Sequence, residues 1–564
     1  MSQKRIIECV PNFSEGRDMQ LIEQLAQVIR SVEGVKLLDV DPGKATNRTV
    51  VTFVGEPEPV VEAAFRAVKK AAELIDMSKH QGEHPRMGAT DVCPLVPVSG
   101  IEMAEVVEYA RQLGRRIGEE LGIPVYLYEE AATTPQRRNL AYVRSGEYEA
   151  LPEKLKKAEW KPDFGPAEFH ARAGATAVGA RDFLIAYNVN LNTTSVRRAN
   201  AVAFDVREKG RVKRKGNPLT GEILRDEAGQ PLREPGLLKA VKAIGWYIEE
   251  YGIAQISMNL TDIKTTPLHR AFEACRESAN RRGLRVTGSE LVGLVPKSVL
   301  LDAGKYFLRK QKRSLGIPEE EIIRIAVRSL GLDELSPFEP GKKIIEYLLE
   351  EEEDNRLVAM DLRSFARETA SESPAPGGGS ISAYVGALGA ALGTMVANLS
   401  AHKRGWDERW EFFSRWAEQG QEIEEELLKL VDEDTRAFEG IMQAFRLPKG
   451  TAEEKAARRA AIQGATRYAI EIPLKVAETA LRAFDLLEAM VKEGNPNSIT
   501  DAAVGALCAR AAVRGAAMNV RINLLDFKGD EAFRSEVLER IGAAEEQAAQ
   551  REEALMKLTT KALT

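Results

Sequence analysis

An acidic run, Leu348-Leu349-Glu350-Glu351-Glu352-Glu353-Asp354-Asn355, divides the chain into two stretches whose apolar periodicities cannot share one architecture. Upstream, strand-like runs at 6–10, 35–40, 49–54, 92–98 and 124–128 alternate with segments near 17–32, 57–75 and 102–121 that carry apolar residues at helical spacing. That alternation predicts an α/β layer. A second unit of the same kind begins near Phe183: a strand over 183–191, a helix over 195–208, a charged excursion over 209–234, a helix over 236–251, a strand over 254–259, a helix over 266–282 and a strand over 284–287. From about 358 onward strand signals vanish. Long Ala/Leu/Glu/Arg helices run to the C-terminus, broken at 374–379, 448–450 and 494–497. The 564 residues exceed what one core can organise, so several domains are expected.

Composition narrows the class. A net charge of -6 with 44% hydrophobic and 29% charged residues describes a soluble globular chain and gives no electrostatic footprint for nucleic acid. Cys9, Cys93, Cys275 and Cys508 form no CxxC pair, so neither a disulfide framework nor a zinc knuckle is predicted and a reducing compartment fits. The N-terminus enters a strand-like run without the apolar core of a secretory signal, which predicts a cytoplasmic location. The stretch 381–399 is rich in Gly and Ala and contains Ser382, Tyr384 and Asn398, which suits close helix packing rather than a lipid-facing span.

The densest chemical signal is His80-Gln81-Gly82-Glu83-His84-Pro85-Arg86-Met87-Gly88-Ala89-Thr90-Asp91, a Gly/Pro-containing loop that holds two of the five histidines. His80 and His84 have the spacing of a helical metal pair, but Gly82 and Pro85 break the helix that would align them and no further ligand follows, so no metal is predicted. Together with Glu8-Cys9-Val10-Pro11-Asn12-Phe13, Leu37-Leu38-Asp39-Val40-Asp41, Asn47-Arg48-Thr49-Val50, Gly146-Glu147-Tyr148-Glu149, Pro162-Asp163-Phe164-Gly165-Pro166 and Ile244-Gly245-Trp246-Tyr247, this segment closely resembles the formiminotransferase half of the formiminotransferase-cyclodeaminase family. The resemblance puts the catalytic histidine on His84, where an imidazole would take the proton that N5 of tetrahydrofolate loses as it attacks the formimino carbon. Asp41 is the candidate to orient that ring; a turn-forming Asp before Pro42 is an equal reading. The resemblance also implies folate contacts on Gly165-Pro166-Ala167-Glu168-Phe169-His170-Ala171-Arg172-Ala173-Gly174 and on Gly236-Leu237-Leu238-Lys239-Ala240-Val241-Lys242-Ala243-Ile244-Gly245, in a cleft between the two subdomains. Arg48, Arg86, Arg172 and Lys239 are candidates to pair with glutamate carboxylates.

In the helical half, Pro376-Gly377-Gly378-Gly379-Ser380 places three glycines before a helix start, exposing backbone N–H groups at its positive end. The spacing is not that of a phosphate loop. With Leu430-Val431-Asp432-Glu433-Asp434-Thr435-Arg436-Ala437-Phe438, Arg446-Leu447-Pro448-Lys449 and Ile472-Pro473-Leu474, it resembles the cyclodeaminase half of the same family, which puts the catalytic acid on Asp434. Helix spacing sets Asp434 beside Leu430, Val431, Ala437 and Phe438, so partial burial and a raised pKa are expected. Asn519 and Asn523 share a helix face and either read a pterin edge or knit helices together; Asn495 and Asp501 are weaker candidates.

The expected fold is therefore α/β, two ferredoxin-like α+β sandwich subdomains (1–182 and 183–349), then a linker (350–357) and an all-α helical bundle (358–564). The resemblance implies a bifunctional folate enzyme with tetrahydrofolate as co-substrate, assembled as a homo-oligomer, serving histidine breakdown and one-carbon supply. A formyl donor in place of the formimino donor is the alternative. An oligomeric scaffold with a decayed site is a third reading, against which stand His84, Asp434 and the Gly377-Gly378-Gly379 run, all present.

Overall fold

Strand alternation in the first half sorts side chains onto two faces, and that sorting builds the architecture. The computed structural model describes residues 5–44, 46–82, 85–216, 221–349, 357–528 and 530–564. These divide into two units, Met1–Val299 with Leu330–Leu349, and Leu300–Ser329 with Glu350–Thr564.

The first unit opens with β1 (Ile6–Cys9), β2 (Asn12–Phe13), α1 (Met19–Arg30), β3 (Val35–Gly43), β4 (Arg48–Gly55), α2 (Pro57–Leu74) and β5 (Thr90–Ser99). β1 and β2 form one interrupted strand between β4 and β5, so the spatial order β3-β4-β1/β2-β5 is that of a split β-α-β sandwich. After α3 (Met103–Leu121), β6 (Val125–Glu129) and β7 (Thr176–Ala180) extend the sheet in parallel, with α4 (Leu140–Val143) and α5 (Glu147–Lys154) between them. Ile7, Cys9, Phe13, Val51, Phe53, Cys93 and Leu95 pack with Val60, Ala64, Val106 and Ala110 of the helices. The alternate residues face away from those helices, and that is where the site lies.

β8 (Ile185–Leu191), α6 (Val196–Val206), the short pair β9 (Arg211–Val212) and β10 (Arg233–Glu234), β11 (Val241–Ile248), β12 (Ile253–Leu260), α7 (Leu268–Asn280) and β13 (Val286–Val292) make a second sandwich of order β11-β12-β8-β13. The two sandwiches thus share one topology, as the two ferredoxin-like subdomains expected above require, without a visible residue-level repeat. The helix expected over 236–251 is instead the edge strand β11. Val241, Ala243 and Gly245 are buried on one face while Lys242, Ile244 and Trp246 are exposed on the other, a period of two rather than 3.6. Gly245 is required there: a Cβ would come within 2.2 Å of the Asn200 backbone nitrogen. Asn200 closes this point of the strand by accepting from Gly245 N–H at 3.0 Å and donating to its carbonyl at 3.1 Å.

α8 (Lys297–Lys310) and α9 (Glu319–Leu330) precede α10 (Pro340–Lys343) and α11 (Ile345–Leu349). The second unit continues with α12 (Leu362–Thr369), α13 (Gly378–Ala401), α14 (Trp410–Arg446), α15 (Ala452–Glu493), α16 (Ile499–Asp526) and α17 (Glu531–Leu563). α13 is long and apolar enough to cross a membrane by length and composition, but it lies in the middle of the bundle against α14, α15 and α16. Its small residues permit that approach: Ala383, Gly386, Ala387, Ala390, Gly393 and Ala397 are buried. On the outside, Leu388, Met395 and Leu399 of α13 and Val504, Leu507, Met518, Ile522 and Leu525 of α16 are exposed, so two adjoining helices carry apolar residues outward.

Candidate active sites

The open faces of the two sheets border a cavity of about 430 Å³. The first sheet contributes Glu8, Asn12, Asp39, Asp41, Arg48, Thr52 and Tyr128; the second contributes Ala186, Lys242, Asn259 and Val292; Arg144 and Arg181 complete the wall. Such a gathering of charge in a confined space shifts the titration of Glu8, Asp39 and Arg48. Burial pushes the Glu8 carboxyl up to about 7, against the opposing charge of Arg181. Burial, and then the neighbouring Asp41, raise Asp39. Burial lowers the Arg48 guanidinium to about 10 even with Asp91 nearby. Asp91 itself is buried, pairs with Arg144 and accepts from Met87 N–H at 2.9 Å, yet burial outweighs the pair and keeps its pKa raised.

Glu8 is 5% exposed and makes no hydrogen bond or ion pair among the described residues. Asn12, 4% exposed, donates to Val10 O at 2.9 Å and leaves its buried Oδ1 without a partner. Buried polar atoms of this kind are costly unless something else completes them.

At the tip of the β3–β4 hairpin, Asn47 fastens three segments. Its Oδ1 accepts from Gly16 N–H at 3.0 Å, its Nδ2 donates to Gln81 O at 3.0 Å, and its own carbonyl receives His80 Nε2–H at 2.8 Å. Arg86 Nε donates to His80 Nδ1 at 3.2 Å, which fixes the ring as the neutral Nε2–H tautomer with both nitrogens occupied. Arg86 in turn is gripped by Glu149 at 2.7 Å and Glu147 at 3.1 Å. Both flanks of the predicted catalytic loop are therefore anchored, with a hollow of about 410 Å³ lined by Gln81, Gly82, Arg86, Gly146, Glu147 and Glu149 beside them. His84 itself lies outside the described residues.

Asp41 lies on the cavity wall, but not on a loop. β3 continues to Gly43, pairing Asp41 with Val50 and Gly43 with Arg48, and as a strand paired only with β4 among the described residues it accommodates Pro42. Of the two segments expected to touch folate, Lys242 alone reaches this cavity. Residues 165–174 cross elsewhere: Tyr148 packs at a tilt against Phe169, ring centroids 5.4 Å apart, and donates to Ala171 O, and Gly174 bridges to Gly88. Of the four proposed carboxylate partners only Arg48 faces the cavity. Arg86 is committed to its two glutamates, Arg172 donates to Glu73 O, and Lys239 lies 3.7 Å from Glu208.

In the helical unit, Gly377 caps α13 and Asp434 of α14 lies against its first turn. Ser380 Oγ donates to Asp434 Oδ2 at 2.9 Å. A Cβ on Gly379 would fall 2.1 Å from Asp434 Oδ1, so only glycine admits the carboxylate. Burial raises the Asp434 pKa; hydrogen bonds from Ser380 oppose it without reversing it. Gly378 meets the Asn519 amide from the other side, and Ser382 Oγ donates to Gly378 O at 2.6 Å. Asn523 instead ties α16 to α15 through Ala469 O at 2.7 Å. Leu430, Val431 and Ala437 are buried beside Asp434 as the spacing predicts, whereas Phe438 is exposed. A cavity of about 860 Å³ runs along the same helix, lined by Pro374, Ala375, Asp432, Thr435, Arg436 and Met442 among others. Among the described residues no group of three or more His, Cys, Asp or Glu side chains is arranged to hold a metal ion.

Family models match in three consecutive segments: the formiminotransferase N-terminal subdomain over residues 6–181, the formiminotransferase domain over 186–350, and formiminotransferase-cyclodeaminase over 361–543. The formimidoyltransferase-cyclodeaminase of Mus musculus is 46% identical over 544 residues, covering 96% of this chain and 96% of the relative. This chain belongs to the formimidoyltransferase-cyclodeaminase family. A glutamate formimidoyltransferase of Thermoplasma acidophilum is 46% identical over 306 residues, 54% of this chain and 92% of its own length. A methenyltetrahydrofolate cyclohydrolase of Methylorubrum extorquens is 38% identical over 180 residues, 32% of this chain and 86% of its own. Within this member of the family, sequence reading missed Glu8, Asn12, Asp39, Arg144 and Arg181 as cavity residues. For Glu8 the signal was available, a lone acid between Ile7 and Cys9 on a buried strand.

Proposed function

We propose that this chain is a bifunctional folate enzyme whose sheet-containing unit and helical unit act in sequence. In the sheet cleft, N5 of tetrahydrofolate attacks the formimino carbon of N-formimino-L-glutamate. The bond from that carbon to the glutamate nitrogen breaks, glutamate leaves with a proton, and 5-formiminotetrahydrofolate remains. His84 is assigned as the base that takes the N5 proton and returns it to the leaving nitrogen, with Asp41 orienting its ring. The observation that carries this reading is the charged cavity between two sandwiches, flanked by a loop that Asn47, His80 and Arg86 hold at both ends. The folate pocket includes Lys242; the remaining positions of 165–174 and 236–245 are proposed to bound the entrance.

In the bundle, N10 attacks the formimino carbon and ammonia departs, giving 5,10-methenyltetrahydrofolate. The leaving nitrogen gains the N10 hydrogen and one further proton. A carboxyl of α14 whose pKa burial raises, set against the first turn of α13, is suited to supply that proton, and we assign it to Asp434. The balanced reaction calls for no metal. Supporting a homo-oligomer are the outward apolar residues of α13 and α16, whose natural cover is a second copy of the chain. A cytoplasmic location and a place in histidine breakdown accord with the reduced cysteines and with the donor.

Mixing purified protein with formiminoglutamate and tetrahydrofolate should generate methenyltetrahydrofolate absorbance and free ammonia in equal amounts. Formylglutamate run in parallel decides the donor, and absence of both products with either donor would overturn the reading.

A further inference from the structure

Glu8 and Asn12 stand on the same face of the interrupted strand, four residues apart, which along a strand is about 13 Å. Asn12 pairs with Val50, as Asp41 does, so both mark the end of the cavity nearest the hairpin tip where Asn47 binds the 80–82 segment. Glu8 pairs with Val54 and Val96 and marks the far end. Its carboxyl is buried, faces the cavity and has no partner among the described residues. Two coplanar acceptor oxygens left open at the end of a slot match one kind of group, a planar N–C–N unit presenting two parallel N–H donors.

Resting on the function proposed above, we infer that Glu8 reads the 2-amino-4-oxopyrimidine edge of the pterin, accepting from N3–H and the 2-amino group. If the one-carbon exchange occurs at the Asp41 end, the two-ring pterin plus the reach of a glutamate side chain spans the interval to Glu8. The donor's own N–CH=NH unit has the same donor pattern but belongs at the reacting end. Glu8 is thus a specificity residue for folate, not a proton-transfer group. Only the ionised form offers two acceptors, so folate binding weakens as the pH falls through about 7, where burial has placed this carboxyl. The charges facing it are Arg181, Arg144, Arg48 and Lys242, against Asp39 and Asp41, with Tyr128 as the remaining titratable neighbour in the wall.

The test uses the full chain and its Glu8→Gln variant, with steady-state kinetics from pH 6 to 8. Expected are a 10- to 100-fold rise in the KM for tetrahydrofolate at pH 8, a donor KM within twofold, a kcat within threefold, and loss of the acid-side rise in folate KM. A tetrahydrofolate analogue with a methyl in place of the 2-amino group should bind the wild type at least tenfold more weakly than tetrahydrofolate, but should be hardly distinguished by the variant. Unchanged folate KM overturns the inference, as does a rise confined to the donor KM, which would assign Glu8 to the formimino unit. A fall in kcat with both KM values unchanged overturns it in favour of proton transfer. If Glu8→Gln fails to fold, Glu8→Asp, which retracts the carboxylate by one methylene, must show the same folate-specific rise. Wild-type protein that transfers nothing to tetrahydrofolate would instead refute the proposed function itself.

Discussion

Single side chains carry the sharpest expectations. The unfolded chain releases the Glu8 proton at 4.5, whereas the fold retains it to about 7. Its contribution to stability therefore falls as the pH rises from 4.5 to 7 and above that is unfavourable by on the order of 3 kcal/mol. Glu8→Gln should accordingly melt higher than wild type at pH 8 and lose that advantage near pH 5, as scanning calorimetry would register. At the second site, Asp434→Asn should remove cyclisation while leaving formimino transfer intact, and wild-type cyclisation should decline as rising pH strips the proton that burial retains. Gly379→Ala should mimic that loss without touching the acid, because its methyl would occupy the carboxylate's position 2.1 Å away. Normal far-ultraviolet dichroism with cyclisation down at least about 100-fold is the expected pair of readings. His84→Ala should do the converse, abolishing transfer while supplied 5-formiminotetrahydrofolate is still cyclised.

Among the elements, β11 shows both what pattern reveals and what it conceals. Gly245→Ala would press a methyl onto the α6 backbone, and urea unfolding should register a loss of about 1–3 kcal/mol. The segment misled because Leu237, Leu238, Val241, Ile244 and Ile248 also fit a helical stripe; what decided for a strand was pairing with β12, information that is non-local. Asp41 misled similarly, since Pro42-Gly43 reads as a turn until β4 is seen to pair alongside it. By contrast the helical half was legible in outline, because Pro448, Gly450 and Gly494 punctuate long uninterrupted periodicity, although the turns that part α13 from α14 and α16 from α17 carry no comparable proline signal. The partial burial of Asp434 was legible through its apolar neighbours Leu430, Val431 and Ala437. The roles of Glu8, Asp39, Arg144 and Arg181 in the cavity wall were not, because their convergence comes from two sheets facing each other and leaves no spacing in the chain.

For the whole molecule, the outward apolar residues of α16 make assembly testable apart from catalysis. Ile522→Glu with Leu525→Glu should lower the sedimentation coefficient to that of a smaller species, since both residues are more than half exposed and contribute little to the bundle core. An unaltered coefficient would place the contact between copies elsewhere. The position of α13 has its own consequence. The turn that holds Asp434 is also the opening of the helix that packs against three others of the bundle, so no flexible joint separates ammonia release from the framework. Warming should then extinguish this chemistry in the same cooperative transition that melts the framework, without an earlier stage of gradual fading.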